Sequence, residues 1–244
     1  MRNTLTPAVK NLLIINVLVF AASFVLGQRG FDLEANLGLH FILSDEFQPW
    51  QFVTYMFLHG SLEHIFFNMF ALWMFGCLIE RTQGTKRFLI YYFVCGIGAG
   101  ICQEIAQTIH YTMLNTMSVP DGMGGMVDCV MLDGFPQPVL LSSYLATWNC
   151  VGASGAIYGI LLAFAMYYPN ERMFIIPFPF PIKAKYMVLG YTVIELMSVV
   201  TRANDGVAHI AHLGGMIFGA LLIIYWRRGD NRRRGDAVYV TFTR

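Results

Sequence analysis

Six long apolar stretches, separated by short polar connections, limit what this chain can fold into more than any other feature. They cover approximately residues 11–27, 64–80, 88–108, 151–168, 185–200 and 207–226. A membrane-spanning helix needs roughly 20 predominantly apolar residues, and somewhat shorter ones are tolerated where neighbouring helices shield them. With 56% hydrophobic and 13% charged residues, the chain leaves no room for a large soluble domain. We therefore predict an all-α membrane protein, a bundle of six transmembrane helices.

Basic residues predict the orientation of this bundle. They lie at both chain ends and in the connections after the second and fourth stretches: Arg2, Lys10, Arg81, Lys86, Arg87, Arg172, Lys183, Lys185, Arg227, Arg228, Arg232, Arg233, Arg234 and Arg244. The remaining connections hold Arg29 and Arg202 among acidic residues: Asp32, Glu34, Asp45, Glu46, Asp121, Asp128, Asp133 and Asp205. The positive-inside rule then predicts that both termini are cytoplasmic, with the first stretch acting as an uncleaved signal anchor.

The chain divides into one membrane domain, residues 1–228, and a basic cytoplasmic tail, residues 229–244. The first external connection, 28–63, mixes large apolar and acidic residues, which favours a structured loop partly in the membrane interface. The second, 109–150, is rich in Met, Gly and Pro without clear periodicity, so we expect an irregular insertion. Cys129 and Cys150 could pair if this side is oxidising.

Composition also limits the classes of ligand and partner that we expect. A formal net charge of +1 does not indicate a nucleic-acid partner. No CxxC motif and no His/Cys cluster with zinc spacing is present, so the sequence predicts no zinc site. The predicted partners are the lipid bilayer and whatever membrane proteins the chain acts on.

The polar residues that could carry chemistry converge on one side of the predicted membrane. Spans two, four and six all enter from outside; His64 and Asn68 open the second, and Ser154 opens the fourth. His212 lies about five residues into the sixth, roughly 8 Å below the outer boundary at 1.5 Å per residue. A hydroxyl and an imidazole at this depth are functional candidates by default. They predict hydrolysis within the plane of the membrane.

Ser154 is the candidate nucleophile and His212 the candidate base. His209 lies three residues earlier, so one helix face can present both histidines, but His209 is nearer the surface and better solvated. His212 is therefore favoured. No carboxylate has an obvious place as a third member, and Glu195, well inside the fifth span, is unexplained. The sequence predicts a Ser–His dyad rather than a triad.

Glycines surround both candidates. Gly152, Gly155 and Gly159 flank the serine, whereas Gly214, Gly215 and Gly219 follow the histidine. The pairs Gly155–Gly159 and Gly215–Gly219 let helices approach backbone to backbone, which would bring Ser154 within hydrogen-bonding reach of His212. Plain helix packing is the alternative interpretation of these pairs.

Three further residues have two interpretations each. His64 and Asn68, four apart on one helix face, could donate hydrogen bonds to an oxyanion, or they could simply bond to loop backbone. Tyr158, one turn below Ser154, could pack on the imidazole of His212, or it could be an ordinary core aromatic residue. His59, in the loop before span two, is assigned a structural role.

Three segments, HGSLEHIFFNMFALWMFGCLIER, GASGAIYG and AHLGGMIFG, resemble in this order the rhomboid family of intramembrane serine proteases. The resemblance covers most of spans two to six. It implies a six-span protease domain over 1–228 in which Ser154 is the nucleophile and His212 the general base, with no metal or cofactor. His64, Asn68 and the backbone N–H of Ser154 would form the oxyanion site. The implied supporting residues are Tyr158, Gly152, Gly155, Gly215 and Gly219.

The same resemblance implies that the protein cleaves transmembrane segments of other proteins near the outer face, with span five as a lateral gate. A bare six-span chain suits a bacterial plasma membrane. One departure concerns the first external loop: many relatives have Trp-Arg where this chain has Trp50-Gln51, which leaves the anchoring of that loop open.

Two rival functions are retained. A catalytically silent rhomboid-like scaffold would bind membrane proteins without cutting them, although such relatives generally lack the serine or the histidine. A small proton-coupled transporter could use Glu195, His209 and His212 as a relay. It would predict internal repeats or broken helices at the midplane, and the sequence has no such repeat.

Overall fold

The structure is a computed structural model that describes residues 5–132, 137–174, 180–201 and 207–241, with side chains described to residue 230. Several charged residues used above for the orientation lie outside these ranges: Arg2, Asp133, Arg202, Asp205 and Arg244. The described helices are α1 (Pro7–Gly27), α2 (Leu33–Leu37), α3 (Gln51–Thr54), α4 (Leu62–Ala71), α5 (Cys77–Gln83), α6 (Thr85–Thr112), α7 (Leu141–Ala146), α8 (Ser154–Tyr167), α9 (Ala184–Val200) and α10 (His209–Thr241). The described strands are β1 (Leu39–His40), β2 (Thr116–Pro120), β3 (Met126–Val130), β4 (Val139–Leu140), β5 (Asn149–Cys150), β6 (Arg172–Met173) and β7 (Ile182–Lys183).

Four helical segments in the described chain are long and apolar enough to cross a membrane: Pro7–Gly27, Leu62–Gln83, Thr85–Thr112 and His209–Asp230. The second of these joins α4 to α5 through a π-helical turn at Leu72–Gly76. The two other predicted apolar stretches are also helical but shorter, since α8 has 14 residues and α9 has 17. The protein is mainly helical, as expected of a membrane bundle.

The helix α8 lies at the centre of this bundle. It packs against α6 and α10, and α6 and α10 pack against each other. Eight of its 14 residues are buried, most of them small or aliphatic, because neighbours surround it on several sides. By contrast, the large exposed apolar side chains lie on outer helices such as α1 and α9, where they would face lipid. This arrangement places the first residue of α8, Ser154, at the middle of the molecule.

The first external loop is structured, and it is attached to the segment that leads into α8. Strand β1 pairs antiparallel with β5, and Phe41 N–H donates to the carbonyl oxygen of Trp148 at 3.0 Å. Gln51, which follows Trp50 in this loop, is fully buried. Its amide contacts four loop residues: the oxygen accepts from the N–H groups of His40 and Gln48, and the nitrogen donates to the carbonyls of Asn36 and Glu46. A neutral amide therefore anchors this loop.

The expectation of an irregular 109–150 insertion, and of an all-α chain, is wrong for part of this region. The strands β2, β3 and β4 form an antiparallel sheet in that order, with Met117 opposite Cys129 and Pro120 opposite Met126. Polar and apolar residues alternate over only four positions of β2, most of which is exposed, and β3 does not alternate, so the pattern of a half-buried strand is weak here. Cys129 and Cys150 do not pair; both thiols are free and buried.

A buried carboxylate holds α1 against the bundle. Glu80, which is 2% exposed, accepts hydrogen bonds from the backbone N–H groups of Ala8 and Val9 at 3.0 Å each and from the Thr85 hydroxyl at 2.8 Å. These N–H groups belong to the first turn of α1, where they lack partners within the helix and where the helix dipole favours negative charge.

The Glu80→Gln variant is expected to be less stable by about 1–3 kcal/mol, because an amide NH₂ would face backbone donors and leave one of them unsatisfied. The free energy of unfolding can be measured by denaturant titration in mixed micelles. Glu46→Gln, at an exposed carboxylate, is the control and is expected to change stability by no more than about 0.5 kcal/mol. Equal stability of the two variants would contradict the assigned role of Glu80.

Candidate active site

The turn before α8 sets the position of Ser154. Gly152 has φ +130°, in the region that favours glycine, and its N–H donates to the carbonyl oxygen of Tyr55 at 2.9 Å. A Cβ atom on Gly152 would lie 2.8 Å from two atoms of the His64 ring. Glycine is therefore required here for backbone conformation and for space. The turn holds Ser154 at the N-terminus of α8, beside His64.

The glycine pairs bring α8 and α10 together as expected. A methyl group on Gly215 would overlap the carbonyl oxygen of Gly155, so the two backbones are in contact. Gly155 also packs on Ala99 of α6, and Gly159 packs on Cys95. On the same face of α10, Gly219 packs against the Tyr91 hydroxyl. No side chain separates α8 from α10 at Gly155 and Gly215, and this sets the distance between Ser154 and His212.

Ser154 and His212 are hydrogen bonded. The Oγ atom of Ser154 lies 2.8 Å from Nε2 of His212, which is 7% exposed. The Tyr158 ring stacks on the imidazole with centroids 4.2 Å apart and planes 10° from parallel. Stacking fixes the tilt of the imidazole, and the hydrogen bond fixes which nitrogen faces the serine. A serine hydroxyl held by a buried imidazole nitrogen is the arrangement that nucleophilic catalysis requires.

A carboxylate joins this pair, which the sequence did not predict. Glu195 of α9 is 4% exposed, and its Oε1 lies 3.1 Å from Nδ1 of His212. At this nitrogen the approach does not have the angle of a hydrogen bond. Its Oε2 lies 2.6 Å from Nδ1 of His209, and the Tyr158 hydroxyl donates to Oε1. Glu195 thus contacts three side chains of the site, and His209 joins the network through it.

The proposed oxyanion residues lie on α4, which contacts the serine turn. His64 is packed against Gly152, and Asn68 is one turn further along α4 and 6% exposed. In the described chain, Nδ2 of Asn68 has no hydrogen-bond partner. A buried amide donor without a partner is costly, and a negatively charged oxygen of a bound molecule would satisfy it.

His59 lies behind His64, with ring centroids 5.0 Å apart. It is 2% exposed, and burial together with the neighbouring imidazole of His64 lowers the pKa of His59 to about 4. A histidine with this pKa is neutral at physiological pH. His59 therefore packs against His64 as an uncharged ring, in keeping with the structural role assigned to it.

A cavity of about 490 Å³ opens beside the site between α4, α8 and α9. Asn68 and Tyr158 line its polar part, and aromatic and methionine side chains line the rest: Phe67, Met74, Phe75, Met187 and Tyr191. The cavity therefore connects an apolar surface between α4 and α9 with the residues around Ser154.

One set of residues in the described chain could hold a metal ion, namely Glu195, His209 and His212, whose ligand atoms all lie within 4.8 Å of one another. The same three residues are those considered above as a proton relay. Here they contact each other directly and lead to the hydroxyl of Ser154.

The fold and the site together define an integral, multi-pass membrane protein with a serine, a histidine and a carboxylate gathered at the end of its central helix. A rhomboid domain model matches residues 46–229, which is most of the chain. The chain belongs to the rhomboid family, and this confirms the resemblance seen in its three segments.

Individual relatives are distant. The rhomboid protease AarA of Providencia stuartii is 28% identical over 220 residues, covering 87% of this chain and 70% of that protein. The mitochondrial RHOMBOID-like protein 12 of Arabidopsis thaliana is 29% identical over 182 residues, covering 74% of this chain and 47% of the relative. The rhomboid protease GlpG of Yersinia pseudotuberculosis is 26% identical over 146 residues, with 50% and 49% coverage. The chain thus spans about half the length of the second and third of these relatives.

Proposed function

We propose that this protein is an intramembrane serine endopeptidase that cleaves transmembrane segments of other membrane proteins near the outer face. One observation carries the proposal: the hydroxyl of Ser154 lies 2.8 Å from Nε2 of His212 inside a membrane protein of the rhomboid family. The two residues would act as nucleophile and general base. A proton relay would not require a serine at its end, and a binding scaffold would not require the pair to be aligned.

The reaction would proceed in two steps. His212 takes the proton of Ser154 as Oγ attacks the scissile carbonyl carbon, and the carbonyl oxygen becomes an oxyanion. His212 then gives the proton to the amine that leaves, so that an ester to Ser154 remains. Water attacks this ester, again with His212 as the base, and releases the new carboxyl end and the free serine.

The oxyanion would be stabilised by His64, Asn68 and the backbone N–H of Ser154. Asn68 supports this role with its buried Nδ2, which has no partner in the described structure. The first N–H groups of a helix have no partner within it, and the dipole makes this end of α8 positive. Donors that are already in place when the charge develops need not reorganise, which is why such sites lower the barrier strongly.

The substrate would enter sideways from the lipid. The cavity between α4 and α9 lies next to Asn68 and Tyr158, and its apolar lining suits a transmembrane segment. A helix has to unwind to expose a peptide bond, so residues that destabilise helices should favour cleavage. The proposed topology has six spans, both termini in the cytoplasm and the site toward the outside. A bacterial plasma membrane is the proposed location.

The test is reconstitution of the purified protein in proteoliposomes with a model single-span protein. The substrate should carry a helix-breaking residue near its outer end, and the products can be identified by mass spectrometry. A fluorophosphonate probe, which esterifies activated serines, should label the wild type at Ser154. Absence of both cleavage and labelling would reject the protease and favour the silent scaffold.

A further inference from the structure

We propose that Glu195 is a positioning residue for the reaction: its carboxylate orients His212 and couples helix α9 to the Ser154–His212 pair. This inference rests on the proposed protease function. It replaces the dyad predicted from the sequence with a Ser–His–Glu arrangement whose third member comes from the helix expected to act as the gate.

The contacts define what the carboxylate can do. A carboxylate at Nδ1 of a histidine accepts hydrogen bonds and cannot donate them when ionised. It therefore favours the tautomer with the proton on Nδ1, and this leaves Nε2 free to take the proton of Ser154. The negative charge also stabilises the imidazolium that forms when His212 accepts this proton. In the resting structure the 3.1 Å contact is misaligned, as catalytic hydrogen bonds often are before substrate binds.

Two side chains besides His212 contact the carboxylate and hold it in place. The Tyr158 hydroxyl donates to Oε1, while Oε2 lies 2.6 Å from Nδ1 of His209. Because Tyr158 also stacks on His212, one residue fixes both the acceptor and the ring that it orients. The charged and titratable groups around His212 are accordingly Ser154 and Tyr158 from α8, Glu195 from α9, His209 from α10 and His64 from α4.

Glu195 is also the buried contact between the later part of α9 and the bundle. From Leu189 to Val200, Glu195 is the only buried residue of this helix, whereas Leu189, Val193, Ile194, Leu196, Met197 and Val200 are exposed. Tyr191 and Thr192 are half-buried against the bundle, with the Thr192 hydroxyl 3.6 Å from Sδ of Met216. Beyond them, the buried contact of α9 is the Glu195 carboxylate, which contacts α8 and α10. Movement of α9 away from the bundle would carry Glu195 away from His212, so opening of the gate and orientation of the base are linked.

A bound metal ion is a poorer explanation of the same cluster. Two nitrogen or oxygen ligands of one tetrahedral zinc ion lie about 3.3 Å apart, because each is about 2.0–2.1 Å from the metal. Oε2 of Glu195 and Nδ1 of His209 are 2.6 Å apart, which is a direct hydrogen-bond distance. The observed contacts therefore fit a network of hydrogen bonds and charges better than a set of metal ligands.

The test compares Glu195→Gln with the wild type by two measurements: the rate of fluorophosphonate labelling at Ser154, and kcat and KM for the single-span substrate. A small probe reports on the serine and the histidine without requiring a substrate helix to pass the gate. Labelling and kcat are expected to fall about 10²- to 10⁴-fold, as when the wrong histidine tautomer is favoured in a serine protease, with KM nearly unchanged.

Glu104→Gln is the matched control. Glu104 is a buried carboxylate that binds the Ile42 backbone N–H at 2.8 Å, outside the site. In the Glu104→Gln variant, the rate of labelling at Ser154 should stay within about twofold of the wild-type rate, because the substitution leaves the reacting groups in place.

Glu195→Asp and Glu195→Asn provide a second comparison if Glu195→Gln does not fold. Aspartate and asparagine have the same size and differ in charge. Ser154 should therefore be labelled at least about tenfold faster in Glu195→Asp than in Glu195→Asn. Equal rates for this pair, or wild-type labelling of Glu195→Gln, would overturn the positioning role. Normal labelling with faster cleavage would overturn it as well, since the carboxylate would then only hold α9 closed. A wild type that neither labels nor cleaves would refute the protease, and the role of Glu195 with it.

Discussion

Cleavage by the Ser154→Ala variant is expected to fall by at least about 10⁴-fold, to the background of liposomes without protein, because no nucleophile remains. His212→Ala is expected to cause a loss of similar size, since Oγ of Ser154 would keep its proton. The double variant should be no worse than either single one, because two residues that act as one unit give non-additive losses. Cleavage of a labelled single-span substrate in proteoliposomes measures all three.

Two substitutions of the same kind elsewhere serve as controls. Ser23→Ala removes a hydroxyl that bonds within α1 to the Val19 carbonyl, and His110→Ala removes a ring that contacts Trp148 at the far end of α6. Both should retain most of the activity. If Ser154→Ala still cut the substrate at the wild-type position, another group would be the nucleophile. Additive losses in the double variant would separate the roles of Ser154 and His212.

Gly215→Ala is expected to lower both the activity and the stability of the protein. The added methyl group would overlap the carbonyl oxygen of Gly155, so α8 and α10 would have to move apart. Overpacking of this kind costs about 1–3 kcal/mol of stability. It would also lengthen the 2.8 Å contact between Ser154 and His212, and a displacement of about 1 Å can lower a rate about 10²-fold. We expect activity to fall by at least that factor while the protein still inserts into the membrane.

Gly190→Ala is the matched control for this prediction. Gly190 is also in a helix, but no atom lies within 4 Å of the position that its Cβ would occupy. Alanine should therefore be neutral or stabilising by about 0.5–1 kcal/mol, and activity should be retained. Thermal unfolding in detergent and fluorophosphonate labelling can be followed on the same samples. If Gly215→Ala labelled at the wild-type rate, close contact of the helices would not be what aligns the pair.

Local patterns were enough to predict the central part of the site. The glycine pairs around Ser154 and after His212 predicted a close helix contact, and the depth of His212 distinguished it from His209 three residues earlier. Both inferences need only the regular geometry of a helix and the cost of polar groups in lipid. For Tyr158, one turn below Ser154, the spacing allowed stacking on His212 but also an ordinary core position, and the structure shows the stacking.

Glu195 could not be assigned in this way, because its partners lie on two other helices. Which residues it meets depends on how α9 is rotated and placed against α8 and α10, and the apolar sequence of α9 specifies neither. A signal was nevertheless present: a carboxylate well inside an apolar span needs a partner.

The sheet of β2, β3 and β4 was missed for another reason. The alternation of polar and apolar residues in its first strand spans only four positions, and the second strand, Met126–Val130, does not alternate.

The length of α8 has a consequence for where a peptide bond would be cut. A helix of 14 residues rises about 21 Å, whereas the hydrocarbon layer is about 30 Å thick. Its far end is held at an aromatic and basic rim: Arg227 donates to the Met166 carbonyl at 2.9 Å and lies over the Tyr167 ring. Such residues favour the membrane–water boundary. If this rim lies at the membrane boundary and α8 is upright, the missing length, about 9 Å, would fall at the Ser154 end. The length of α8 would thus determine the depth of Ser154 below the membrane surface, which is the distance that water has to travel to complete hydrolysis.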